Sequence, residues 1–269
     1  MAHTKQDRYS ALVLAKLRNE LMLKDGIVFN NDYEGDPKAG AVKVPKRDTD
    51  PTVANYSSVN GVDVTEGATT YVNLPITKDV AVNEVIDGYA ADAVPDNLVA
   101  DRLDSASYAL GAKIDTEGGT VLLADGKKHG LELVESDNIY NLVVDIGVYM
   151  TKAKIPNDGK RYLLVTPDVY GIMLKDKDHF IRQGDLSQQI LATGAIGQYA
   201  GFNVYVWNDS TANLRFIAGH PRFATRVNEW SVPIHIADLS GSSKYIGASA
   251  VRGRFVFDHA VLRADGVNV

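Results

Sequence analysis

The side chains that could do chemistry are six histidines, His3, His129, His179, His220, His235 and His259, and a surplus of carboxylates. Transition-metal sites gather three or four ligands, often announced by close pairs such as HxH or HxxxH. The histidines show no such spacing, and no acidic pair suggests a raised-pKa acid beside an ionised partner. Without cysteine there is neither a thiolate nucleophile nor a disulfide, and no serine lies in a G-x-S-x-G elbow. Gly194, Gly197 and Gly201 form GxxGxxxG ahead of a strand, whereas a phosphate-cradling loop follows one. Tight turns are their expected role. Trp207 and Trp230, with Phe202 and Tyr205, read as core rather than as a ligand box. The sequence therefore nominates no catalytic, cofactor-binding or metal-binding residue, and the chain is not expected to be an enzyme.

The elements that would position a site are more telling. Across 94–114, Val99, Leu103, Ala106, Leu110 and Ile114 recur at the period of one apolar helix face. Pro95 and Asp96 suit its start, and Gly118-Gly119 is expected to stop it. After it, 120–133 reads as strand-turn-strand around Asp125-Gly126. Ser136 is placed to cap a helix carrying Ile139, Leu142, Val143, Ile146 and Met150 on one face. A break at 155–159 precedes a buried strand, 161–166, and Pro167 opens a third helix. A polar segment at 176–189, expected to be mobile, is followed by expected strands at 202–207 and 214–218 about a turn at Asn208-Asp209. A short helical piece begins at Gly219-His220-Pro221. An edge strand is expected at 232–237, and 253–262 must pair with something earlier in the chain.

The segment before the long helix is unusual. An N-terminal helix is expected over 9–23. Residues 31–78 are rich in proline, glycine and charge, with short alternations at Val42/Val44 and Val72/Leu74/Ile76 that suggest a two-stranded ribbon with a loose tip. A lone hairpin is marginal in water, and so long a loop is foreign to a compact domain unless it serves a partner. An arm and a ribbon laid on a neighbouring copy resolve the conflict.

With 269 residues the chain can build two modest cores, and 45% hydrophobic with 23% charged residues is ordinary for a globular protein. A net charge of −6 argues against a protein that grips nucleic acid through clustered lysine and arginine. No run is long enough to span a membrane, the start does not read as a signal peptide, and a reducing cytoplasm fits the absence of cysteine.

The ordered series resembles the major capsid proteins of tailed bacteriophages, the Hong Kong 97-like fold. NNDYEGDPKAGAVKV is similar to the opening of the family's extended loop, and VPDNLVADRLDSASYALGAKID to its spine helix. RYLLVTPDVYGIMLKD, GAIGQYAGFNVYVWND and RFIAGHPRFATRV resemble the central strand-helix-strand series, and KYIGASAVRGRFVFDHAVLRAD the returning strand. The resemblance implies an α+β subunit with an N-terminal arm at 1–30 and an extended β-hairpin loop at 31–77. A peripheral domain with the spine helix takes 78–122 and 238–269, and an axial domain takes 123–237, with 176–189 facing a capsomer axis. It implies self-association into hexamers and pentamers of an icosahedral head around double-stranded DNA, in a virion assembled in the host bacterial cytoplasm. Scaffolding protein, portal and possibly a decoration protein are implied partners. Asp32, Glu34, Asp36, Lys38, Lys43, Lys46, Arg47, Asp48 and Asp50 would pair with adjacent subunits. The arm helix begins so near Met1 that either a scaffolding extension has been removed or a separate scaffold is needed. The alternative on the same fold is an encapsulin-like nanocompartment shell. No covalent cross-link is carried over from the family.

Overall fold

The computed structural model describes residues 18, 21–46, 50–51, 53–63, 67, 69–89, 98–129, 135, 138–175, 180–182, 196–208, 216–239 and 241–269, with 180–182 as backbone only. Of the sequence expectations, most of the 9–23 helix, the Pro95/Asp96 start, the Ser136 cap, Gly194, most of 176–189 and Asp209 lie outside these residues. At the end of the expected first helix, Leu21, Met22 and Leu23 are irregular chain rather than helix.

Two strands, β1 (Ala41–Lys46) and β2 (Thr70–Pro75), form the expected antiparallel ribbon. Their apolar positions fall in register, with Val42 opposite Leu74 and Val44 opposite Val72. Strand β3 (Lys78–Asp87) then leads to helix α1 (Leu98–Asp125). The helix holds 28 residues and is about 42 Å long at 1.5 Å per residue. Its apolar face packs on a three-stranded antiparallel sheet through Val99, Leu103 and buried Ala106, against Val82, Ile86, Ile234 and Val251. That sheet has the order β3-β10-β9, with β9 (Ala224–Asp238) at an edge and β10 (Ala248–Val261) in the centre. β9 is far longer than the alternation at 232–237 suggests, and β10 begins five residues before the expected 253. Pro233 and Gly253 interrupt the pattern, and the β10–β9 register slips between Arg252 and Arg254.

The second sheet has the order β11-β8-β4-β7-β6-β5. It contains β4 (Tyr162–Val165), β5 (Phe180–Arg182), β6 (Gly197–Tyr199), β7 (Phe202–Val206), β8 (Phe216–Gly219) and β11 (Val267–Asn268). All four β4 residues are buried. β4 pairs in parallel with β7 and antiparallel with β8. Helices α2 (Ile139–Lys152) and α3 (Pro167–Lys175) pack here through Ile139, Val143, Ile146, Met150, Val169 and Met173 against Leu163, Val165, Phe202 and Val204. The β6–β7 hairpin turns on Ala200 and Gly201, both at positive φ (48° and 83°), the two-residue turn whose twist suits paired strands.

Gly118-Gly119 does not stop α1; the helix runs through it, and 120–125 is helical rather than strand. The physical reason is side-chain clearance. A Cβ at Gly119 would lie 2.2 Å from Cζ2 of Trp207, and one at Gly118 would lie 3.0 Å from Cε2 of Phe29. The helix pays the backbone cost of two glycines because large rings occupy the space. Its end comes at Gly126, whose N–H bonds to the Leu122 carbonyl.

This predicts opposite signs for one substitution at two helical glycines. Gly171 in α3 has nothing within 4 Å of a built Cβ, so Gly171→Ala should gain up to about 1 kcal/mol from helix propensity. Gly119→Ala should lose about 1–3 kcal/mol to overpacking. Urea unfolding of the two variants checks both.

Candidate assembly surface

The described histidines take structural places and do not converge. His220, buried, accepts from the Arg222 amide at Nδ1 (3.2 Å), so its proton sits on Nε2 and is donated to Oδ1 of Asp158 at 3.0 Å. Burial works against the ionised Asp158, yet the His220 and Lys160 N–H groups outweigh it and hold the carboxyl below its ordinary pKa. His129 bonds Asn268, His235 bonds the Pro233 carbonyl, and His259 is buried among aromatic rings. His3 and His179 lie outside the described residues. Among the described residues no three metal-ligating side chains cluster.

Trp207, Phe202 and Tyr205 are buried as expected, but Trp230 is not core: it is 44% exposed, with the Arg254 guanidinium 5.3 Å from its ring centre. It stands on the open face of the three-stranded sheet, where Arg254 also pairs with Asp79. A hollow of about 390 Å³ lies beside Trp230, and another of about 420 Å³ lies along α2. Neither sets a nucleophile beside a base.

What the fold does present is the ribbon. Val44 and Leu74 bury at its root against Val227, with Tyr33, Ile76, Ala260 and Leu262 around them. Thr77 fastens the same root, its N–H and Oγ1 both donating to Oδ2 of Asp258 at 2.9 and 2.8 Å. Beyond Lys46 the described residues show no such packing. Val53, Tyr56 and Val59 are 94%, 79% and 88% exposed, around a turn in which the Gly61 amide bonds to the Ser57 carbonyl. Asp32, Glu34, Lys38, Lys43 and Asp50 make no ion pair with a described residue. Arg47 and Asp48 lie outside the described residues. Sequence reasoning weighed this loop by its charges and passed over its apolar tip; Val53, Tyr56 and Val59 among polar neighbours were the available signal.

Two polar ties fix the helices to the chain around them, one at α1 and one at the end of α2. Asp115 of α1 accepts from the Leu23 amide at 2.8 Å and from Nε1 of Trp207 at 3.2 Å. Burial pushes its carboxyl above the ordinary value, and these two donors pull part of the way back. Arg161, only 4% exposed, donates to the carbonyls of Ile155 (2.7 Å) and Pro156 (2.9 Å) and to Oγ1 of Thr151 (3.2 Å). A cation at the carbonyl end of α2 meets the negative end of the helix dipole. Burial lowers its pKa, and the Asp158 carboxylate partly restores it.

No protein-family model matches the chain, and no curated protein does. Solved structures do match. A chain from Mycobacterium phage Che8 superposes with a TM-score of 0.75 at 20% identity, covering 98% of this chain and 95% of that one. The capsid of Cyanophage P-SCSP1u gives 0.72 at 13% identity, over 98% and 91%. The capsid of an empty GTA particle gives 0.68 at 13% identity, over 98% and 93%. The chain has the fold of tailed-phage major capsid proteins. Among the described residues no helix of the capsid fold is long and apolar enough to cross a membrane.

Removing the Asp115 carboxylate leaves two buried N–H donors unmatched. Asp115→Ala should cost about 2–4 kcal/mol, and Asp115→Asn, which keeps one acceptor, clearly less. Denaturant midpoints of both variants, with Trp207 emission as the probe, test this.

Proposed function

We propose that the chain is a major capsid subunit that self-assembles through hexamers and pentamers into an icosahedral head enclosing double-stranded DNA. One observation carries the reading: among the described residues the ribbon packs on its own chain at its root and exposes an apolar tip, Val53, Tyr56 and Val59. Such a surface gains nothing within its own chain. Heterologous contacts that close into rings supply the burial, and many copies of individually weak ion pairs add avidity. The capsid fold of the matched structures supports the same reading.

In the proposed domain map, 1–30 is the arm and 31–77 the loop. The peripheral domain comprises 78–122 and 238–269 and the axial domain 123–237, so that the last turn of α1, to Asp125, crosses the boundary. Strand β9 links the two by pairing along β10. The net charge of −6 suits a wall that confines DNA without gripping it. The subunit acts without catalysis, in a virion assembled in the host cytoplasm with scaffolding protein and portal as partners. No observation favours a nanocompartment shell.

The ribbon can be shortened without touching the core. Lys46 and Thr70 are the last cross-strand pair, so residues 47–69 can be replaced by Asn-Gly, a two-residue hairpin turn. The variant should fold with a thermal midpoint within a few degrees of the parent and form no closed shells by electron microscopy. Shells of normal size from this variant would overturn the role given to the ribbon, and an unfolded product would show that the loop belongs to the core.

A further inference from the structure

His259 sits where three parts of the chain meet. Its ring lies 4.6 Å from that of Phe29, centre to centre, and 5.4 Å from that of Phe257. The bare backbone of Gly118 makes room for it, since a Cβ there would stand 3.3 Å from Nε2. The residue is 6% exposed, and neither Nδ1 nor Nε2 has a hydrogen-bond partner. A phenylalanine or leucine would fill such a place with no unmatched polar atom, so a buried imidazole here calls for a reason.

The charged groups around it supply one. Arg226 lies directly across from it on β9 and holds Asp25, at the head of the segment that carries Phe29. Asp258 on β10 has both oxygens engaged, by Thr77 and by the His259 amide. Glu117 on α1 has both engaged, by Lys113 and by Lys78 at the start of β3. Of these carboxylate oxygens only Oδ1 of Asp25 lacks a partner. A proton taken up by the ring therefore creates a second cation beside Arg226, and the one unpartnered oxygen among these carboxylates belongs to Asp25, on the segment itself.

We propose that His259 is an acid-operated latch: neutral, it seals segment 25–30 against α1 and β10, and protonated, it releases that segment while the two sheets stay folded. The step is the uptake of one proton from solvent, with no covalent change. Burial is the main cause, with Arg226 next, that pushes the imidazole down to about 4 from its ordinary 6.5. A folded-state pKa below the unfolded one gives stability that is complete above about 6.5 and is lost as pH falls toward 4.

Two mass-spectrometric measurements on the full chain test the latch. Exchange at the imidazole Cε1 across pH should show His259 titrating below 5; a midpoint near 6.5 for His259 would overturn the proposal. Amide exchange, corrected for intrinsic pH dependence, should show segment 25–30 opening on the order of fiftyfold more often at pH 4.5 than at pH 7.5, with β4 protected at both. In His259→Phe that rise should vanish, and His259→Gln serves if the phenylalanine variant does not fold. An equal rise in the variant, or a rise spread evenly over the chain, would overturn the latch. Both readouts come from the folded chain whether or not shells form, so the latch and the capsid reading can fail independently.

Discussion

The structure depends on one close approach, that of the Trp207 and Phe29 rings to the surface of α1 at Gly118-Gly119. Three parts of the chain converge there. Phe29 arrives from the N-terminal side, Trp207 from the end of β7 in the six-stranded sheet, and His259 from β10 in the three-stranded one. Two missing side chains let the helix come nearer to both sheets than any other residue pair would permit. One turn earlier, Asp115 adds a polar tie to Leu23 and Trp207. A rod of 28 residues with a sheet at each end keeps its geometry only if this contact is rigid.

That rigidity is what the ribbon needs. Its root is stitched to the three-stranded sheet by Val44, Leu74 and Val227 and by Asp258 with Thr77, so its direction is set by the sheet on which α1 lies. The tip then stands in solvent with Val53, Tyr56 and Val59 exposed. Assembly into a shell would satisfy, in another copy, contacts that this chain leaves open. Function in this account lies in the placement of an unsatisfied surface, while His220 and Asp158 form a structural pair.

Much of this was legible in the residues. The β1–β2 register follows from the alternation at Val42/Val44 and Val72/Leu74, and the buried face of α2 from the spacing of Ile139, Val143, Ile146 and Met150. Pro167 marks the start of α3 because a missing N–H costs nothing at a first helical position. What was misread shares one cause. A sequence shows that Gly118-Gly119 weakens a helix and that a tryptophan is large, but not that a ring 88 positions later fills the space the glycines leave. The length of β9 and β10 was hidden likewise: cross-strand partners carry a ladder through Pro233 and Gly253, where local alternation fails. Trp230 read as core because size alone suggested burial, whereas its place on the open sheet face gives it Arg254 as a neighbour.

The central claim, that this surface builds a shell, is most directly tested by electron microscopy with light-scattering mass on the purified chain, expressed alone and then together with its neighbouring genes. Closed shells, or rings of five and six subunits, are the predicted result. A chain that stays strictly monomeric at high concentration and beside its neighbours would contradict the account, even with every element of the fold in place.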